Sequence, residues 1–232
     1  MVTIADAVVV VTGGKRGLGS ALVDEVLRRG AAKVYSTARH TYDDPRPRVV
    51  AHPLEVRDEN SVVEFATVAT DATIVINNAG ISLPGALLHS DLSHVVDTFD
   101  VNVLGPLRVT RSFAPILAAH GGGAVVNLHS VLSWLAGVGA YGASKAALWS
   151  MTNSLRLELK SQNTQVLGVH VSFIDTDMVA GVEVRKTAPA EVARSIADAI
   201  EQDASEVLVD DDSVAAKAAL AGPVENLVVT LH

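Results

Sequence analysis

A doubly wound α/β fold, one parallel sheet of about seven strands with helices on both faces, is predicted by three features of this sequence. Short apolar runs alternate along the chain with amphipathic stretches of helical period, the pattern of repeated βα units whose strands are buried on both faces. A glycine-rich turn, Thr12-Gly13-Gly14-Lys15-Arg16-Gly17-Leu18-Gly19, joins the first apolar run to the first amphipathic stretch. The remaining polar motifs fall just after apolar runs or on the helix that follows, where ligands of such sheets sit.

The strands are expected at residues 7–11, 33–37, 49–54, 73–76, 124–128, 167–173 and 206–209, short runs in which β-branched, aromatic and other apolar residues recur. Between them, helices are expected at 18–29, opened by the glycine turn; at 59–69; at 95–119; at 141–160; and at 189–201, opened by Pro189. Asp43 to Pro47 reads as an exposed loop and Gly121-Gly122-Gly123 as a flexible turn. Beyond residue 209, a short helix over 213–220 and an apolar tail over 227–231, packed on the body or on another subunit, are expected.

The chain has 232 residues, 49% of them hydrophobic, enough for one sizeable core, so residues 1–232 are expected to form a single domain. A net charge of −8, with no basic run interleaved with aromatics, disfavours a nucleic-acid partner. The opening segment lacks the basic start and long apolar region of a signal peptide, and membrane attachment is not expected. Without cysteine there is no disulfide and no thiolate chemistry, and a cytoplasmic location is the default expectation. His89 and His94, five apart, are not at zinc spacing, so no metal site is expected.

Tyr141-Gly142-Ala143-Ser144-Lys145 places a phenol and an ammonium four residues apart on one helical face. A free phenol titrates near ~10, so only about one in a thousand is ionised at pH 7, and bringing it to neutrality takes roughly 4 kcal/mol. A neighbouring lysine cation works in that direction. The glycine turn also has its own logic: side chains there would block the backbone's approach to a pyrophosphate, and a helix amino terminus supplies oriented N–H donors. At the end of the second strand Ala38-Arg39 stands where an acidic residue would hold the ribose hydroxyl of NAD; an arginine can instead clamp a 2′-phosphate. Arg16 adds a second cation aimed at the same region.

The glycine spacing Gly13, Gly17, Gly19, followed in order by Asn77-Asn78-Ala79-Gly80, Asn102, Ser130 and Tyr141 with Lys145, resembles the short-chain dehydrogenase/reductase family in its compact single-domain branch, from about Val8 to Val209. The resemblance implies a Rossmann-type fold and an oxidoreductase that interconverts a ketone or aldehyde and its alcohol, with NADPH as cofactor ahead of NADH. It implies that Gly13, Lys15, Arg16, Gly17, Leu18, Gly19 and Arg39 hold the phosphates. Glu55 and Val56 would line the adenine, although the family usually has aspartate at Glu55. Asn77 would brace the central strands, and Asn78, Ala79 and Gly80 pass beneath the cofactor. Ile174 and Thr176 would meet the nicotinamide carboxamide, with Val171-Ser172 replacing the common Pro-Gly.

For the chemical step the resemblance implies that Tyr141 moves the proton, Lys145 lowers its pKa and holds the nicotinamide ribose, Ser130 hydrogen-bonds the substrate oxygen, and Asn102 shapes a long helix so that water reaches Lys145. Ser130 lies eleven residues before Tyr141, slightly closer than is usual, and Ser133 is a competitor; Ser130 is preferred because it sits just past a strand. Trp134, Leu135, Val138, Trp149 and residues 178–182 are candidate apolar walls for a small-molecule substrate, with Trp149 equally suited to core or interface packing. The family also implies a homo-oligomer, tetramer ahead of dimer, built through helices 95–119 and 141–160. Two other readings stand beside the reductase: a non-catalytic NADP-binding sensor or regulator of the same fold, and a sugar-nucleotide epimerase or dehydratase, which the glycine spacing weakens.

Overall fold

The computed structural model describes residues 2–83 and 85–229. Its single sheet has seven parallel strands in the order β3-β2-β1-β4-β5-β6-β7: β1 (Val8–Val11), β2 (Lys33–Ala38), β3 (Val49–Pro53), β4 (Ile74–Asn77), β5 (Gly123–Leu128), β6 (Thr164–His170) and β7 (Glu206–Leu208). The helices are α1 (Gly17–Arg28), α2 (Glu59–Val68), α3 (Leu92–Phe99), α4 (Gly105–Ala119), α5 (Gly139–Glu158), α6 (Pro189–Glu201) and α7 (Asp211–Ala219).

Successive strand residues point to opposite faces, and each face has its own core. Val9, Val11, Ile74 and Ile76 meet Leu22 and Val26 of α1 and Ile196 and Ile200 of α6. Val10, Val75 and Val125 meet Phe65 of α2, Phe113 of α4 and Leu155 of α5. Both faces are covered, which is why the strands read as unbroken apolar runs. The chain reverses its direction of travel across the sheet between β1 and β4, opening a crevice at the carboxyl ends of the strands.

Several expectations are corrected. The helix expected over 95–119 begins earlier, at α3, where the Asp91 carboxylate accepts from the Ser93 N–H (2.8 Å), and it is interrupted by one π-helical turn, Asp100–Leu104. Pro106 has no N–H to give to the Asn102 carbonyl, so the ordinary ladder cannot close; the Gly105 N–H reaches back to Asp100 instead. Strand β6 both starts and ends three residues before the expected 167–173. Its polar start, Thr164-Gln165, pairs with Gly123-Ala124, and past His170 the Ser172 N–H goes to the Asp210 carboxylate (2.7 Å). The expected flexible turn at 121–123 is instead tightly packed at its end: a Cβ on Gly123 would lie 2.3 Å from the Thr73 carbonyl oxygen.

The C-terminal segment packs on the body. Asp210 caps α7 through the Ser213 N–H (2.8 Å). Beyond it, the Ala136 N–H donates to the Leu227 carbonyl (2.8 Å) and the Val229 N–H to that of Ala136 (3.0 Å). Residues 230 and 231 of the expected tail lie outside the described residues.

Candidate active site

One cavity of about 740 Å³ occupies the crevice, and every residue singled out above for cofactor contact borders it, as do Ser130, Tyr141 and Lys145. A smaller hollow of about 380 Å³ at the opposite ends of the strands, beside Asp6, Thr73 and Asn163, carries none of the motif residues.

The glycine turn is built for close approach. Gly13 (φ +67°) and Gly17 (φ +56°) adopt a left-handed conformation that favours glycine, and a Cβ on Gly19 would sit 2.0 Å from the Gly13 carbonyl oxygen. Among the described residues no side chain caps the start of α1, and its opening residues Gly17, Leu18 and Gly19 border the cavity. This cradle fits a dinucleotide's pyrophosphate. Thr12 and Asn78, neither expected in this role, stitch the turn to the chain after β4. The Asn78 and Ala79 N–H groups both donate to Thr12 Oγ1 (3.0 Å each), and Asn78 Nδ2 donates to the Thr12 carbonyl (2.9 Å). A threonine before the glycine turn and a second asparagine after β4 were visible in the sequence, but their partnership is a contact 66 residues apart.

The two cations differ. Arg39 lies exposed on the rim, whereas Arg16 reaches across the mouth to Asp177 (Nη1 to Oδ2, 2.7 Å), so it is engaged by a carboxylate. Glu55 likewise accepts from the Arg57 N–H (3.1 Å).

At the other end of the cavity, Tyr141 and Lys145 project from α5 beside Ser130, which follows β5. The Ser130 hydroxyl accepts from the Leu132 N–H (3.2 Å) and donates to the Val171 carbonyl (3.4 Å). Burial dominates the phenol and pushes Tyr141 up to about 12, against a smaller lowering by Ser130. Burial pushes Lys145 down to about 8. Its Nζ donates to the Leu128 carbonyl (2.6 Å) and lies 5.6 Å from the Tyr141 ring centroid. The expected lowering of the phenol by the ammonium is therefore not what governs here; desolvation is. Ser133 does not border the cavity; its Oγ accepts from the Ser130 N–H (3.4 Å).

Asn102 sits fully buried in the π turn. Its Oδ1 accepts from the Ile81 N–H (2.9 Å), while Nδ2 donates to the Ile81 carbonyl (2.9 Å) and to Ser144 Oγ (3.0 Å). It thus ties the loop after β4 to α5, two residues from Gly142 and one from Lys145 along that helix. Asn77 braces the central strands as expected, donating to Asn127 Oδ1 (2.9 Å).

The apolar wall is corrected in part. Met178 and Val179 border the cavity, joined by Ile81 and Leu83, which the sequence reading missed. Trp134 and Trp149 do not; they meet edge to face at 5.7 Å in a satellite cluster with Leu135 and α7.

A seven-stranded parallel sheet with a glycine turn at its switch point, and with Ser130, Tyr141 and Lys145 across the same crevice, defines a Rossmann-type protein. Residues 7–187 match the short chain dehydrogenase family, and the chain belongs to that family of oxidoreductases. It is 37% identical over 183 residues to the short-chain dehydrogenase PC-15 of Penicillium crustosum, covering 72% of this chain and 66% of that one. With the short-chain dehydrogenase virD of Hypocrea virens it shares 36% identity, covering 73% and 62%. The matches thus span less than two thirds of the length of these relatives. Among solved structures, a short chain dehydrogenase from Burkholderia cenocepacia in complex with NADP superposes with a TM-score of 0.92 at 34% identity, covering 97% of each chain.

Proposed function

We propose that the protein is an NADPH-dependent oxidoreductase that interconverts a ketone or aldehyde and the corresponding alcohol, with Tyr141 as general acid and base. The observation that carries this reading is the convergence of Ser130, Tyr141 and Lys145 on a crevice whose other end is a glycine cradle with Arg39 on its rim. When bound, the nicotinamide supplies or accepts the hydride at the substrate carbon. Gly13, Lys15, Gly17, Leu18 and Gly19 hold the pyrophosphate, Arg39 the 2′-phosphate, Glu55 and Val56 the adenosine, Asn78, Ala79 and Gly80 the underside of the cofactor, and Ile174 and Thr176 the carboxamide. Arg16 contributes to the phosphate end once it leaves Asp177. The NADP complex of the Burkholderia cenocepacia relative supports the choice of cofactor.

In the reducing direction, Tyr141 donates its proton to the carbonyl oxygen while Ser130 hydrogen-bonds the same oxygen and stabilises its developing charge. A phenol held up at about 12 is protonated throughout the neutral range, the state that reduction requires. Lys145, still largely charged at pH 7 with its pKa near 8, orients the nicotinamide ribose and returns the proton through Asn102's surroundings. Ile81, Leu83, Met178 and Val179 favour substrates with apolar groups. A cytoplasmic location and assembly as a homo-oligomer, tetramer ahead of dimer, complete the reading.

The test is oxidation of NADPH and of NADH across apolar ketones, aldehydes, quinones and ketosteroids. Turnover with NADPH is expected, with Tyr141→Phe losing about a thousandfold in kcat while its NADPH affinity stays intact. Full turnover by that variant would remove Tyr141 from the chemistry; NADPH binding without turnover on any substrate would favour the sensor reading.

A further inference from the structure

Beneath Ser130 runs a buried polar chain that the reaction as proposed does not use. The Thr152 hydroxyl on α5 is 2.8 Å from His129 Nε2, His129 Nδ1 is 3.1 Å from His170 Nε2, and His170 Nδ1 is 3.2 Å from the Ser130 carbonyl oxygen. Thr152 and His170 are fully buried and His129 nearly so, and the Trp134 ring stacks on His170 at 3.9 Å. The chain joins the carboxyl ends of β5 and β6 directly behind the serine.

Burial keeps both rings neutral, with His170 pushed down to about 4 and His129 well below its ordinary value. A neutral imidazole has one N–H and one lone pair, so the protons along this chain run in one of two senses. In the first, Thr152 donates to His129, His129 Nδ1 donates to His170, and His170 Nδ1 donates to the Ser130 carbonyl. In the second, Thr152 gives its proton to the Leu148 carbonyl (2.7 Å) and both rings reverse. The Ser130 carbonyl oxygen then faces a bare ring nitrogen, two acceptors in contact in the protein interior, which is unfavourable.

One carboxylate bears on the choice. Glu206 on β7 lies 3.4 Å from His170 Nε2 and on its own would favour a proton there. Lys217 of α7 holds that carboxylate with both oxygens (2.7 and 2.9 Å), over the rings of Trp134 and Trp149, and so weakens its pull. Arg156 and Lys145 of α5 are the other charges felt by the histidine pair, and both oppose an added proton.

We propose that His170 is a positioning residue for Ser130: its Nδ1–H, oriented through His129 from Thr152, fixes the Ser130 backbone and so aims the Ser130 hydroxyl at the reacting oxygen. The proposal rests on the roles given above to Ser130 and Tyr141, and it gives the β7–α7 segment a part in the site, since Glu206 and Lys217 back the chain.

Nitrogen-15 NMR of the histidine side chains at pH 7 tests the proton arrangement without any turnover. His170 protonated at Nδ1, with Nε2 as acceptor, is expected; the Nε2–H tautomer overturns the proposal. The kinetic arm compares two variants. His170→Asn keeps a side-chain donor near the Nδ1 position, whereas His170→Phe keeps a ring to stack on Trp134 but has no donor. We expect His170→Phe to lose about tenfold in kcat with NADPH affinity unchanged, and His170→Asn to recover most of it. Equal loss in both variants, or none in either, overturns the positioning role. A wild-type protein that turns over no substrate refutes the enzymatic reading instead, and the tautomer still decides the arrangement of the chain.

Discussion

Tyr141 and Lys145 share one face of α5, and desolvation shifts them in opposite directions, the phenol upward and the ammonium downward, because both lose solvation when charged. A bare count of nearby opposite charges misses this. At the far end of the cavity Arg39 is the more informative cation. Both arginines are exposed, but Arg39, unlike Arg16, is not held by a carboxylate among the described residues. Replacing it with a carboxylate, Arg39→Asp, is expected to move the NADPH/NADH ratio of kcat/KM toward NADH by about a hundredfold, the effect of exchanging a charge-assisted bond for a repulsion. An unchanged ratio would mean that Arg39 does not read the phosphate.

Among the elements, α1 matters most to the site because its amino terminus carries the glycine cradle. A charged seam sets it against α6. Arg29 Nε donates to Glu25 (2.8 Å), Nη1 to Glu201 (2.6 Å) and Nη2 to Asp198 (2.5 Å). Glu25 is itself buried, and hydrogen bonds from Arg28, and then from Arg29, hold its carboxyl down to about 2. Arg29→Met is expected to destabilise the fold by roughly 2 kcal/mol, below the cost of breaking a fully buried pair because Asp198 and Glu201 can rehydrate. Urea denaturation measures it, and a change under half a kcal/mol would show the seam to be idle. The π turn is the corresponding device on the other face. From within that widened turn Asn102 bridges Ile81 and Ser144.

For the molecule as a whole, the exposed apolar side chains are spread over several elements, and one run of them lies on α3 and the loop before it: Leu88 is 90% exposed, Leu92 75% and Val96 65%. Patches of this kind mark interaction sites on soluble proteins. With the homo-oligomer proposed above, light scattering at micromolar concentration is expected to give a multiple of 24.2 kDa, and Leu92→Glu with Val96→Glu to reduce it. A wild-type mass equal to one chain would refute the assembly.

The sequence by itself determined the order of strands and helices, the glycine cradle and the Tyr141–Lys145 pair, since each is a local pattern: an apolar period, a run of residues without side chains, or two residues one helical turn apart. It also led to Ser130 over Ser133, through its place just past a strand. Tertiary structure alone decided what Arg16 touches, where Trp134 and Trp149 go, and that His170 stands behind Ser130. The physical reason is separation along the chain. Arg16 and Asp177 are 161 residues apart and His129 and His170 are 41 apart, so these partnerships exist only once the sheet has placed β1 beside β4 and β5 beside β6.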